Sequence, residues 1–277
     1  MKKTLAINGH RIFVASEGPL DGPPVVLLHH GLGAVRSWRE QVPSLASAGF
    51  RVIAYDRWGH GRSGARAAYA MPHFEPDLRD LEALLAELGL EQAALVGHSD
   101  GGKIALYYAA ANPDRVTCLA IVSTHIYVEP EMAPGIHAVR KDFENDTRFQ
   151  VKMRRVHGNK AESLFWGWYQ GWTAPEVLKW DLRPVIKRIT CPTLVVQGLE
   201  DEHISPAQAR ELSASLPGAA LFLLPGAGHM LPQDFPEVFN PILLEFLEKN
   251  HAGLRPKRVC RMQPDQTSPG IRACMLP

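Results

Sequence analysis

Residues 97–101 read Gly97-His98-Ser99-Asp100-Gly101, and the two glycines flanking Ser99 constrain the fold more than any other feature of the chain. Upstream lies the β-type run Ala93 to Val96; downstream, Lys103 to Ala111 is a helical run closed by Asn112-Pro113. A strand must therefore reverse sharply into a helix at Ser99, and glycines two residues either side let the two elements approach closely. Such a turn strains the serine backbone, points its hydroxyl at solvent, and sets it at a helix N-terminus. Free N–H groups and the macrodipole there favour developing negative charge. The arrangement suits a nucleophile. A five-residue pattern of this kind also arises by chance in loops, so the flanking strand and helix carry the weight.

A serine hydroxyl is a weak nucleophile at neutral pH and needs a base and a group to orient that base. Among twelve histidines, His229 stands out, in the loop Pro225-Gly226-Ala227-Gly228-His229 after the last predicted strand. The apolar run Pro192 to Gly198 ends in Leu199-Glu200-Asp201-Glu202, which makes Asp201 the natural acid, with Glu200 and Glu202 as alternatives. The chain order Ser99, Asp201, His229 is nucleophile, acid, base.

Strands are predicted near 25–29, 51–55, 93–97, 117–123, 192–198 and 219–224, alternating with helices near 36–48, 75–88, 101–112, 206–216 and 236–249. Alternation of this kind gives an α/β fold with a mainly parallel sheet covered on both faces. Asn8-Gly9 between Thr4–Ile7 and Arg11–Ala15 predicts an antiparallel hairpin at the edge.

Four motifs now stand in order: His29-His30-Gly31-Leu32-Gly33 with Trp38, Tyr55-Asp56-Arg57-Trp58-Gly59-His60-Gly61-Arg62-Ser63, the turn at Ser99, and Gly198-Leu199-Glu200-Asp201 followed by Gly228-His229. Over residues 5 to 250 the chain resembles the α/β-hydrolases, in particular the lid-bearing serine esterases and C–C bond hydrolases. The resemblance selects Asp201 over its neighbours. It also implies an oxyanion hole made by the backbone N–H groups of Leu32 and Asp100, and a carboxylic ester hydrolase working through an acyl-enzyme without a cofactor. C–C cleavage of ring-fission products, lactonase activity and a non-catalytic ligand receptor are the alternatives.

Alternation stops between Thr124 and Ile189, about 65 residues where a crossover needs far fewer. This stretch reads as a helical lid, 125–188, between core segments 1–124 and 189–250. It carries Trp166, Trp168, Trp172 and Trp180. Trp166 and Trp168, with His30, are expected to line a partly apolar substrate site; His29 and His98 read as structural. The Tyr55–Ser63 motif is expected to brace the oxyanion loop through ion pairs between Asp56 and its arginines. Asp100 departs from the hydrophobic residue expected after the serine of the C–C hydrolases. It is expected to cap the helix, with a substrate ammonium as its alternative partner.

A formal net charge of +1 argues against nucleic-acid binding. No run approaches the eighteen or so apolar residues of a membrane span, and Asn8-Gly9-His10-Arg11 interrupts any signal-like N-terminus. The expectation is a cytoplasmic enzyme, monomer or homodimer, acting on a small-molecule ester. Cys118, Cys191, Cys260 and Cys274 show no metal-ligand spacing, and the first two read as buried thiols. The tail 251–277 carries no amphipathic period and is expected to be disordered.

Overall fold

A computed structural model describes residues 1–69 and 71–251. Eight strands form one sheet: β1 (Lys2–Ile7), β2 (His10–Glu17), β3 (Pro24–Leu28), β4 (Arg51–Tyr55), β5 (Ala93–His98), β6 (Val116–Val122), β7 (Thr193–Gly198) and β8 (Ala220–Leu224). Their order is β1-β2-β4-β3-β5-β6-β7-β8. β1 pairs antiparallel with β2, and β2 with β4; every later pair is parallel. In the β1–β2 turn Asn8 and Gly9 have φ of 48° and 82°, the doubly positive geometry whose twist matches paired strands.

The helices are α1 (Gln41–Ser47), α2 (Glu75–Glu87), α3 (Asp100–Ala111), α4 (Ala133–Asn145), α5 (Thr147–His157), α6 (Ala161–Thr173), α7 (Arg183–Ile186), α8 (Pro206–Ser215), α9 (Leu231–Asp234) and α10 (Pro236–His251). The helix expected at 36–48 is instead a 3-10 turn, Val35–Trp38, followed by α1. A continuous helix would drive the Pro43 ring into the Arg39 carbonyl, whereas in the first turn of α1 the missing N–H costs nothing.

Successive strand residues point to opposite faces, so the sheet separates two cores. Leu95, Ile121 and Val195 pack with Leu84, Leu106 and Leu182 on one side. Ala94, Val96 and Val196 pack with Trp38, Phe239 and Leu243 on the other.

Helices α4 to α7 form an insertion between β6 and β7. Its neck is closed where the Leu182 amide donates to Ile126 O at 2.7 Å and Tyr127 bridges Asp181. Met153, Leu164, Phe165 and Tyr169 give it a small core of its own, with Phe143 stacked on Phe165 at 3.7 Å.

The expected tail lies outside the described residues apart from His251, which belongs to α10 and is buried. Its Nδ1 donates to Leu247 O at 2.9 Å, and its Nε2 accepts from Thr117 Oγ1 at 2.9 Å. Among the described residues no helix is long and apolar enough to cross a membrane.

Candidate active site

At the end of β5 the chain reverses at Ser99, with φ 55° and ψ −116°. A non-glycine residue so placed stores about 1–3 kcal/mol of strain. The surroundings hold it there. The Ser99 amide donates to Val122 O at 2.9 Å, and its carbonyl accepts from the amides of Gly102 and Lys103 at 2.9 and 3.2 Å. A Cβ at Gly97 would press on Gly102 Cα, and one at Gly101 would strike the Leu28 carbonyl. The steric reading of the two glycines therefore holds.

Asp201 follows β7, and its side chain is fully buried. Its Oδ2 accepts from His229 Nδ1–H at 3.0 Å and from Gln197 Nε2 at 2.8 Å. Its Oδ1 accepts from the amides of His203 and Ile204 at 2.9 and 3.0 Å. Burial pushes this carboxyl up, but the His229 charge and these hydrogen bonds outweigh it and hold Asp201 down at about 2. Of the neighbouring carboxylates, Glu200 is exposed and Glu202 accepts from the His229 backbone amide at 3.1 Å rather than from the ring.

With Nδ1–H engaged by Asp201, the other ring nitrogen of His229 is free to accept a proton. His98 steadies the loop from beneath, donating Nε2–H to the His229 carbonyl at 2.8 Å. Burial drives the His98 imidazole down to about 3, so it stays neutral. Ser99 and His229 line one cavity of about 240 Å³. No hydrogen bond joins them among the described residues; such contacts commonly tighten only when substrate is bound.

The loop after β3 runs close to two residues of that cavity: a Cβ at Gly31 would strike the Trp168 indole and the Asp100 carboxylate. Gly33 N closes the His30–Gly33 turn on His30 O at 3.0 Å, and the amides of Leu32 and Asp100 donate to no group among the described residues. The Gly31 carbonyl, in the same peptide unit as Leu32 N–H, accepts from His60 Nε2 at 2.9 Å. Arg57 Nη2 donates to His30 O at 3.2 Å, and the Arg57 amide donates to His29 Nε2 at 3.1 Å.

The Tyr55–Ser63 segment therefore does brace this loop, but the expected pairing of Asp56 with arginines is wrong. Asp56 accepts from the backbone amides of Val35 and Arg62 at 2.6 and 2.7 Å. Arg57 and Arg66 pair instead with Asp77 of α2, at 3.5 and 2.8 Å. A carboxylate satisfied by turn amides has no call on a guanidinium.

The insertion also reaches this loop, through residues the sequence did not single out. At the end of α5, His157 Nδ1 accepts from Gly61 N at 2.9 Å. The ring proton therefore sits on Nε2, which donates to Leu32 O at 3.1 Å. Lys160 Nζ donates to the carbonyls of Gly61 and Ser63, both at 2.7 Å. The His157 partners lie 96 and 125 residues away in sequence, so no local pattern could have exposed them.

Of the residues expected to line the substrate site, Trp168 lines the cavity. His30 and Trp166 are not part of its wall. His30 Nε2 accepts from Ser37 Oγ at 3.2 Å behind the loop, and Trp166 packs edge-on against Phe143 and Phe165. Asp100 corrects another expectation: it heads α3, but its carboxylate does not accept from the helix amides. It pairs instead with Lys103 Nζ at 2.8 Å, both side chains being buried. Of the thiols, Cys118 is buried and Cys191 half-buried; burial pushes them up to about 12 and about 11.

This fold and this arrangement of turns define a class. The family model described as alpha/beta hydrolase fold matches residues 24–176, and the chain belongs to that family of hydrolases. It is 32% identical to a non-heme chloroperoxidase of Streptomyces lividans, over 87% of this chain and 97% of that one. It is 28% identical to a bifunctional esterase/perhydrolase of Acinetobacter calcoaceticus, over 87% and 97%. The crystal structure of an enol-lactonase from Burkholderia xenovorans superposes with a TM-score of 0.73 at 25% identity, covering 88% of this chain and 99% of that one.

Proposed function

We propose that the protein is a serine esterase that cleaves carboxylic esters of small, partly apolar acids. One observation carries the reading: a strained Ser99 and an Asp201-oriented His229 open onto one cavity, with the amides of Leu32 and Asp100 unengaged. In this reading Ser99 Oγ attacks the ester carbonyl while His229 takes its proton, and the amides of Leu32 and Asp100 receive the oxyanion. His229 then gives the proton to the departing alcohol. Water, deprotonated by His229, releases the acid from the acyl-enzyme and returns Ser99 to its hydroxyl form. Asp201, ionised throughout, fixes the tautomer of His229 and stabilises its imidazolium. The names of two relatives, an esterase/perhydrolase and an enol-lactonase, point to ester-type bonds.

The test is hydrolysis of p-nitrophenyl esters from acetate to decanoate by wild type and Ser99→Ala. Turnover that falls by about three orders of magnitude or more in the variant is the expected result. No turnover by the wild type, or turnover that survives in Ser99→Ala, overturns the proposal.

A further inference from the structure

The cavity beside Ser99 has a polar end that ester cleavage alone does not use. Lys103 lies one helical turn beyond Ser99, fully buried, with Nζ 2.8 Å from Asp100 Oδ1 and 4.3 Å from the centre of the Trp172 ring. An ammonium carries three donors, and Asp100 engages one. Against the same tryptophan stands His125, 5% exposed, its ring 4.8 Å from Trp172 and 5.4 Å from Trp180. Neither of its ring nitrogens has a hydrogen-bond partner among the described residues. A buried imidazole so placed can hydrogen-bond a polar group that enters the cavity. Lys103 and His125 both line the cavity onto which Ser99 and His229 open.

We infer that this end of the cavity is an acyl subsite for a neutral oxygen acceptor, a keto or hydroxyl group carried on the acyl chain of the ester. The inference rests on the esterase reading. Three charge arguments select the ligand. A substrate ammonium has no place here, because Lys103 already occupies the Asp100 carboxylate and would repel it. A substrate carboxylate gains little, because Asp100 cancels the Lys103 charge at close range. Burial and the Lys103 charge keep His125 neutral, so it offers one N–H to an acceptor but no net charge to an anion. A purely hydrocarbon chain would fill the space along Val128, Met132 and Ile136 and leave His125 unpaired.

The experiment compares kcat/KM for p-nitrophenyl hexanoate, 4-oxohexanoate, 5-oxohexanoate and the half-ester of adipate, each normalised to its hydroxide-catalysed rate. The better oxo ester is expected to exceed hexanoate by about tenfold, the worth of one net hydrogen bond, and the adipate half-ester to fall below both. His125→Phe, which keeps the packing between the two tryptophans, should bring the oxo-to-alkyl ratio to about one. Lys103→Met alone would strand Asp100 in the interior, so the second variant combines it with Asp100→Asn; its ratio should also fall. Turnover of all the esters with no oxo preference, or a preference that survives in both variants, removes the subsite and leaves the esterase reading standing. Failure to turn over any of the esters refutes the esterase reading, and the subsite falls with it.

Discussion

Mild acid should unfold this protein at a pH where most of its carboxylates are still charged. Five imidazoles, His29, His60, His98, His125 and His157, are buried, and burial holds every one of them below its ordinary value, His98 at about 3 and His157 at about 4. Nearby cations push the same way: Arg57 beside His29 and His60, Lys103 beside His125, Lys160 and Arg57 beside His157.

In the unfolded chain each imidazole returns to about 6.5. Below that pH the unfolded state binds protons the folded state refuses, so stability is complete above about pH 6.5 and falls as the pH falls. Near pH 5.5 five such groups give a slope of about 6 kcal/mol per pH unit. Between pH 7.5 and 5.5 the loss already comes to about 7 kcal/mol, so against a typical domain stability of about 5–15 kcal/mol about one further unit suffices for unfolding. Asp201, held at about 2, adds to the loss only below the ordinary carboxylate range. The assay is urea unfolding followed by far-ultraviolet circular dichroism at successive pH values from about 7.5 down to 5.5. A midpoint that stays flat across this window would refute the reasoning, because the imidazoles would then be charging without penalty.

Asp201→Asn should lower kcat by about four orders of magnitude on the best nitrophenyl ester, by presenting the wrong His229 tautomer to Ser99; a loss under tenfold would move the role to Glu202. His157→Leu strands the buried Gly61 N–H and frees the Leu32 carbonyl. We expect about 1–3 kcal/mol lost in thermal or urea unfolding, and a kcat that drops while KM stays within about twofold, since in the proposed mechanism the Leu32 amide acts on the transition state. His157→Asn, able to accept and donate at once, should restore part of that kcat; equal kcat in all three proteins would show the brace to be irrelevant to the amide.

The turn at Ser99 was legible because its cause is local: Gly97 and Gly101 stand where strand and helix backbones nearly touch. The sheet was legible because alternating apolar runs have one economical arrangement. Asp201 could not be separated from Glu200 and Glu202 by spacing, since only the fold decides which carboxylate meets the His229 ring. Lys103 passed as one polar residue in a helical run, although it neutralises the Asp100 charge next to Ser99. Asp56 misled because arginines adjacent in sequence are not adjacent in space, and the nearest donors were turn amides. Trp166 and Trp168, two residues apart on α6, point to different surroundings because the helix turns about 100° per residue.

The contact between His157 and Leu32 bears on how proteins of this shape change substrate. An insertion spliced between two strands looks like an exchangeable part, since the sheet closes without it. Here the part carries a rivet. Any graft that replaces the chain between Val122 and Thr193 must also bring an acceptor for Gly61 N–H and a donor for Leu32 O. On the proposed mechanism, a recipient without them would keep its serine, histidine and aspartate in place and still lose turnover, a failure easily mistaken for a poor pocket.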